Sequence, residues 1–161
     1  MRLLFLDVDG VLVLDWDWRT HLHGNARPDP ACIAALNHII DSTGCYVVVS
    51  SSWRKERSLQ ELCQIINGQF GVHGQVIGRT EVLTVHREIA GCATPVQEAA
   101  GRGEEILKWL QAYARKHSVH SFAILDDSAD VGELDRFLVR PDSAVGLTMQ
   151  DAAQAVAILN R

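Results

Sequence analysis

The apolar positions of this chain fall into short continuous blocks separated by longer stretches of helical spacing. Leu3–Leu6, Cys45–Val49 and Ser121–Leu125 are such blocks. They are too short for helices and apolar on consecutive positions, which predicts strands buried on both faces. Between them, Ile33, Leu36 and Ile40 recur on one side of a segment that opens with Asp29-Pro30. That pair suits N-cap and N1, and Gly44 suits the far end, so a helix is predicted to about Ser42. Residues 55–67 predict a second helix. Glu104–His117 predict a third, acidic at its start and basic at its end, as the helix dipole favours. Thr148-Met149-Gln150-Asp151 is a capping-box pattern opening a last helix to Leu159. Gln75–Ile77 and Arg136–Val139 add two short predicted strands. Strands alternating with helices predict an α/β fold: a doubly wound, mostly parallel sheet in three α/β/α layers.

Two stretches break the pattern. Residues 11–27 form a polar excursion bearing Trp16 and Trp18, expected to be a small hairpin. Residues 84–103 show weak periodicity and contain Gly91, Pro95, Gly101 and Gly103, so a mobile loop is expected there.

Composition narrows the class. At 161 residues, 47% hydrophobic and 22% charged, the chain suits one soluble domain spanning 1–161. No apolar run approaches a membrane span, and the first residues do not read as a signal peptide. Cys32, Cys45, Cys63 and Cys92 are scattered without a C-x-x-C pair, so reduced thiols in a cytoplasmic protein are expected, not a zinc site. The net charge of −5 argues against broad electrostatic binding of nucleic acid, though not against a local basic site. Nothing points to a membrane partner, and a monomer is compatible with everything above.

Candidate chemistry sits where the predicted strands end. Asp7 and Asp9 follow the first, Ser50-Ser51-Ser52 the second, and Asp126-Asp127, with Asp130 close by, the third. In an open parallel sheet such ends line one edge, where ligands bind. Asp-x-Asp-Gly alone is also an ordinary turn. Four or five carboxylates converging on one edge, however, require a cation, and hard oxygen ligands favour Mg²⁺. A nearby hydroxyl and a basic group suit a phosphate.

With these motifs in order, the chain resembles a haloacid dehalogenase (HAD) superfamily phosphatase over nearly its whole length. Ser-Ser-Trp-Arg is similar to the Thr-Ser-Trp-Arg of the HAD domain in "Swiss Army Knife" RNA-repair proteins. The resemblance implies a Mg²⁺-dependent phosphomonoester hydrolase with Asp7 as nucleophile, giving an aspartyl-phosphate, and Asp9 as general acid and then base. It implies that Asp7, the main-chain carbonyl of Asp9, and Asp127 with Asp126 alongside hold the metal. The residues alone leave Ser50, Ser51 and Ser52 open as the phosphate hydroxyl; the likeness favours Ser51. Arg102 fills the place of the family's usual Lys, with Lys108 as competitor. Arg54 is a further candidate for the substrate, one place out of register with polynucleotide 3′-phosphatases. Trp53 is expected to be core or a helix staple, and His21 and His23 exposed loop residues. Residues 11–27 and 55–101 leave no room for a cap domain. An open site suits a phosphorylated nucleic-acid end; nucleotides or other small phosphoesters are the alternative. A receiver-like signalling module or a catalytically dead binding relative is the competing class. The serines at the middle strand and the complete set of acids weigh against both.

Overall fold

The structure, a computed structural model, describes residues 1–14, 27–87, 96–128 and 130–161. Five parallel strands form the sheet: β1 (Arg2–Leu6), β2 (Tyr46–Val49), β3 (Val76–Arg79), β6 (Ser121–Leu125) and β7 (Leu138–Val139). Their order is β3-β2-β1-β6-β7, so the chain winds outward from β1 in both directions. Helices α1 (Pro30–Thr43), α2 (Leu59–Cys63), α3 (Arg102–Ala114) and α4 (Met149–Leu159) cover it. The doubly wound, three-layer α/β expectation therefore holds, and no separate cap is evident among the described residues. No helix among the described residues is long and apolar enough to cross a membrane.

Alternation along the strands builds the two faces. Leu4, Leu6, Val47, Val49, Ala123 and Leu125 pack with Leu36, Ile39, Ala152 and Ala155 of α1 and α4. Leu3, Phe5, Val48 and Ile124 pack with Ile106 of α3 and with Trp109 at its edge. Both faces of β1 are covered, which explains its unbroken apolar run. The predicted caps are present. Asp29 Oδ1 accepts from the N–H of Ala31 at 2.8 Å, and Gly44 donates to Ile40 O at 2.7 Å. Thr148 and Asp151 form the reciprocal box that opens α4.

Four expectations are corrected. The segment after β2 is not one helix over 55–67. It is a 3₁₀ turn (Ser52–Lys55), then α2 capped by Ser58, then a wider π-helical stretch (Gln64–Gln69). The strand expected at Arg136–Val139 shrinks to Leu138–Val139, because Gly132–Phe137 coil as a 3₁₀ turn that buries Leu134. Helix α3 starts and ends earlier than Glu104–His117. Finally, the loop expected over 84–103 contains an antiparallel pair, β4 (Thr84–Arg87) with β5 (Val96–Ala99), Thr84 opposite Ala99. Gly91 and Pro95 fall between the paired segments and Gly101 and Gly103 at the start of α3, so their average hid two strands. The hairpin expected at 11–27, with Trp16, Trp18, His21 and His23, lies largely outside the described residues.

Candidate active site

Sheet register puts the first two acids side by side. Leu6 pairs with Leu125, and the ladder runs one step further as the Asp7 N–H donates to Leu125 O at 2.9 Å. Asp7 and Asp126 are thus in register, and both continue the alternation that faces α3. Beyond Asp7 the strand geometry stops. Gly10 N–H donates to Val13 O at 2.7 Å and Val13 N–H to Val8 O at 3.0 Å, a tight turn pinned by buried Val8, Val11, Leu12 and Val13. Extended alternation therefore does not reach Asp9. Its carboxylate is met from β2's exit, where Trp53 Nε1 donates to Oδ2 at 2.9 Å.

Gly10 closes the turn with φ of +70°, a conformation side chains rarely adopt, and a Cβ there would stand 2.5 Å from the Asp127 carboxylate. The turn after β1 and the segment after β6 therefore touch through a missing side chain. Oxygens of Asp7, Asp126 and Asp127 all lie within 4.8 Å of one another. Asp126 is fully buried and Asp7 nearly so.

Helix α3 brings the cation. A Cβ on Gly103 would stand 2.4 Å from Val131 O, so only glycine lets the first turn of α3 approach that backbone. Beside it, Arg102 sits with Nε 3.3 Å from Asp126 Oδ2 and Nη2 3.8 Å from Asp7 Oδ2. Lys108, the competitor, is exposed and pairs with Glu81 at 2.9 Å on the surface.

These surroundings set the charge of Asp7. Burial and the neighbouring Asp126 push its carboxyl up from 3.8 to about 6, against the opposing pull of Arg102, the Val8 N–H and the Ser51 hydroxyl. A divalent cation between these oxygens would oppose both effects by favouring the ionised form. The donor set is all carboxylate oxygen, two of the three groups buried and all repelling, which fits a hard metal ion.

The three serines separate. Ser51 is the one whose hydroxyl pulls the Asp7 carboxyl down, and its Oγ accepts from the Trp53 main-chain N–H at 3.3 Å. Ser50 is fully buried, and its hydroxyl has no hydrogen-bond partner among the described residues. Ser52 is exposed. Arg54, expected at the substrate, is buried beneath the serine turn instead. Its Nη1 donates to the carbonyls of Ser50 and Ser51, both at 2.7 Å, and its Nη2 pairs with Glu105. Glu105 Oε1 also accepts from the Leu83 N–H at 3.3 Å, at the foot of β4. Sequence reasoning missed Glu105, although its place one turn beyond Arg102 on the same helix was a signal. It also missed the polar end of Trp53, which is core as expected and a carboxylate donor as well.

A family model for the HAD domain in Swiss Army Knife RNA repair proteins matches residues 3–152. The chain belongs to that family. No curated protein and no solved structure matches it. For this HAD domain the membership supports hydrolase-type chemistry, and the buried acidic cluster fits a metal-dependent member of it.

Proposed function

We propose that the protein is a Mg²⁺-dependent phosphomonoester hydrolase acting through an aspartyl-phosphate on Asp7. The reading rests on one observation above all. A nearly buried carboxylate is crowded by two more within 4.8 Å and faces an arginine at 3.8 Å. That arrangement makes sense for a nucleophile that shares its place with a cation and a phosphate.

Asp7, Asp127 and the main-chain carbonyl of Asp9 would hold Mg²⁺, with Asp126 alongside. When bound, the ion would supply positive charge that offsets both the phosphate and the Asp7 carboxylate. Ser51 and Arg102 bind the phosphate oxygens. A carboxylate oxygen of Asp7 attacks phosphorus, and the bond to the leaving oxygen breaks as Asp9 delivers its proton to that oxygen. Asp9, now a carboxylate, takes a proton from water. The resulting hydroxide attacks phosphorus, releasing phosphate and restoring Asp7.

For the substrate we favour a phosphate at the 3′ end of a nucleic acid. Support comes from the family, whose HAD domain belongs to RNA repair proteins, and from strand ends over which no separate cap is evident among the described residues. Two assays test the reading. Release of 4-nitrophenol from 4-nitrophenyl phosphate with Mg²⁺ should be seen for wild type and lost in Asp7→Asn. No turnover by wild type with any divalent ion would sink it. A panel of 3′- and 5′-phosphorylated oligonucleotides, nucleotides and phosphopeptides should favour the 3′-phosphorylated oligonucleotides. Equal slow turnover of all would remove the nucleic-acid assignment and leave the small phosphoester one.

A further inference from the structure

Trp53 and Asp9 are 44 positions apart, yet the indole N–H of one is committed to the carboxylate of the other at 2.9 Å. The indole itself is fixed. Trp53 is only 9% exposed, its ring meets Phe70 edge-on at 6.1 Å, and the Arg57 guanidinium lies over it at 4.8 Å. An indole N–H is a donor only and does not titrate in the physiological range, so it can hold a carboxylate oxygen but can neither take nor give the catalytic proton. A fixed donor on one oxygen breaks the symmetry of a carboxyl group. The oxygen that accepts the N–H bond is the better carbonyl oxygen, so the proton is carried by the other.

We infer that Trp53 is a positioning residue for proton transfer: its N–H holds Asp9 Oδ2, so that the carboxyl proton is presented on Oδ1. This rests on the phosphatase reading, in which Asp9 protonates the leaving oxygen. Trp53 touches neither substrate nor metal in this scheme. It acts through Asp9 by removing the freedom of the carboxylate to turn. Arg57 and Phe70 hold the indole from the outside and the inside.

The leaving group provides the test. A series of substituted phenyl phosphates, from 4-nitro to 4-methoxy, varies the need for a proton while keeping the shape of the substrate. The second-order constant kcat/KM reports the step in which Asp7 is phosphorylated, and so isolates the acid role. Trp53→Phe keeps a buried ring and removes the donor. Its kcat/KM for the 4-methoxy ester should fall about 10-fold or more relative to that for the 4-nitro ester, a fraction of what general acid catalysis supplies. In an Asp9→Asn background the same substitution should add no further leaving-group dependence. Should Trp53→Phe not fold, β-(3-benzothienyl)alanine placed at position 53 keeps the indole shape and lacks the N–H, and the same series reads it. An equal loss across the series, or none, overturns the inference while leaving the phosphatase reading intact. A wild-type protein inactive on every ester overturns that reading, and the inference with it.

Discussion

Arg54 and Glu105 form an ion pair that is almost wholly buried, joining the serine turn after β2 to the first turns of α3. The same guanidinium holds the carbonyls of Ser50 and Ser51, and the same carboxylate holds the foot of β4. Removing one partner leaves an uncompensated buried charge, which costs about 3–5 kcal/mol. Arg54→Met should therefore lower Tm by roughly 10 °C, on the scale of 2–4 °C per kcal/mol for a chain of this size. Thermal unfolding checks it. A shift under about 2 °C would mean that the pair does not hold these elements.

Asp7 makes a prediction of opposite sign. Its folded carboxyl is raised from 3.8 to about 6, so the folded state binds its proton more tightly than the unfolded chain does. The stability this contributes is full below about pH 4 and is lost as pH rises through 6. At neutral pH and without metal, the ionised Asp7 costs on the order of 3 kcal/mol. Asp7→Asn keeps the shape and carries no charge. In chelator at pH 7.5 the variant should melt above wild type, and the difference should vanish near pH 4. A variant that is less stable at pH 7.5 would contradict the cause assigned to the shift.

Gly10 gives a local test of the contact between the first and last acidic motifs. Gly10→Ala places a methyl where the Asp127 carboxylate lies and strains a positive φ, at a backbone cost of about 1 kcal/mol. The fold should survive. Phosphate release should fall by about 10²-fold or more, as expected for a misplaced group of 1 Å order. Turnover within about 3-fold of wild type would show that Asp127 has no fixed role.

Arg102 and Lys108 separate by the same assay. Arg102→Ala should raise KM and lower kcat, because the cation near Asp7 is gone, and Arg102→Lys should restore part of both. Lys108→Ala removes only an exposed pair with Glu81, worth about 1 kcal/mol at most, and should leave turnover within about 2-fold. The reverse pattern would move the third motif to Lys108.

The strands and caps were legible because they depend on local pattern. Three apolar runs, an Asp-Pro start and a Thr-x-x-Asp box each carry their own physical signal, and the order of strand and helix did the rest. The acids were legible because strand ends in such a sheet share an edge. Arg54 was misread because its neighbours in sequence are the site serines, whereas its fate is decided by Glu105 on α3. Trp53 was half legible. Its apolar body marks core, but the partner of its N–H depends on how sharply the chain turns at Gly10. The β4–β5 pair was hidden because each strand has four residues, and the glycines and proline between and after them dominate the window.

The central claim is that Asp7 carries the phosphoryl group. Incubating the protein with Mg²⁺ and a ³²P-labelled phosphomonoester, quenching in acid within the first turnover and mapping the labelled peptide tests it most directly. The account predicts label on the peptide containing Asp7 in wild type and none in Asp7→Asn, which also releases no phosphate. Steady release of phosphate by Asp7→Asn, or label mapped to any other residue, would contradict it.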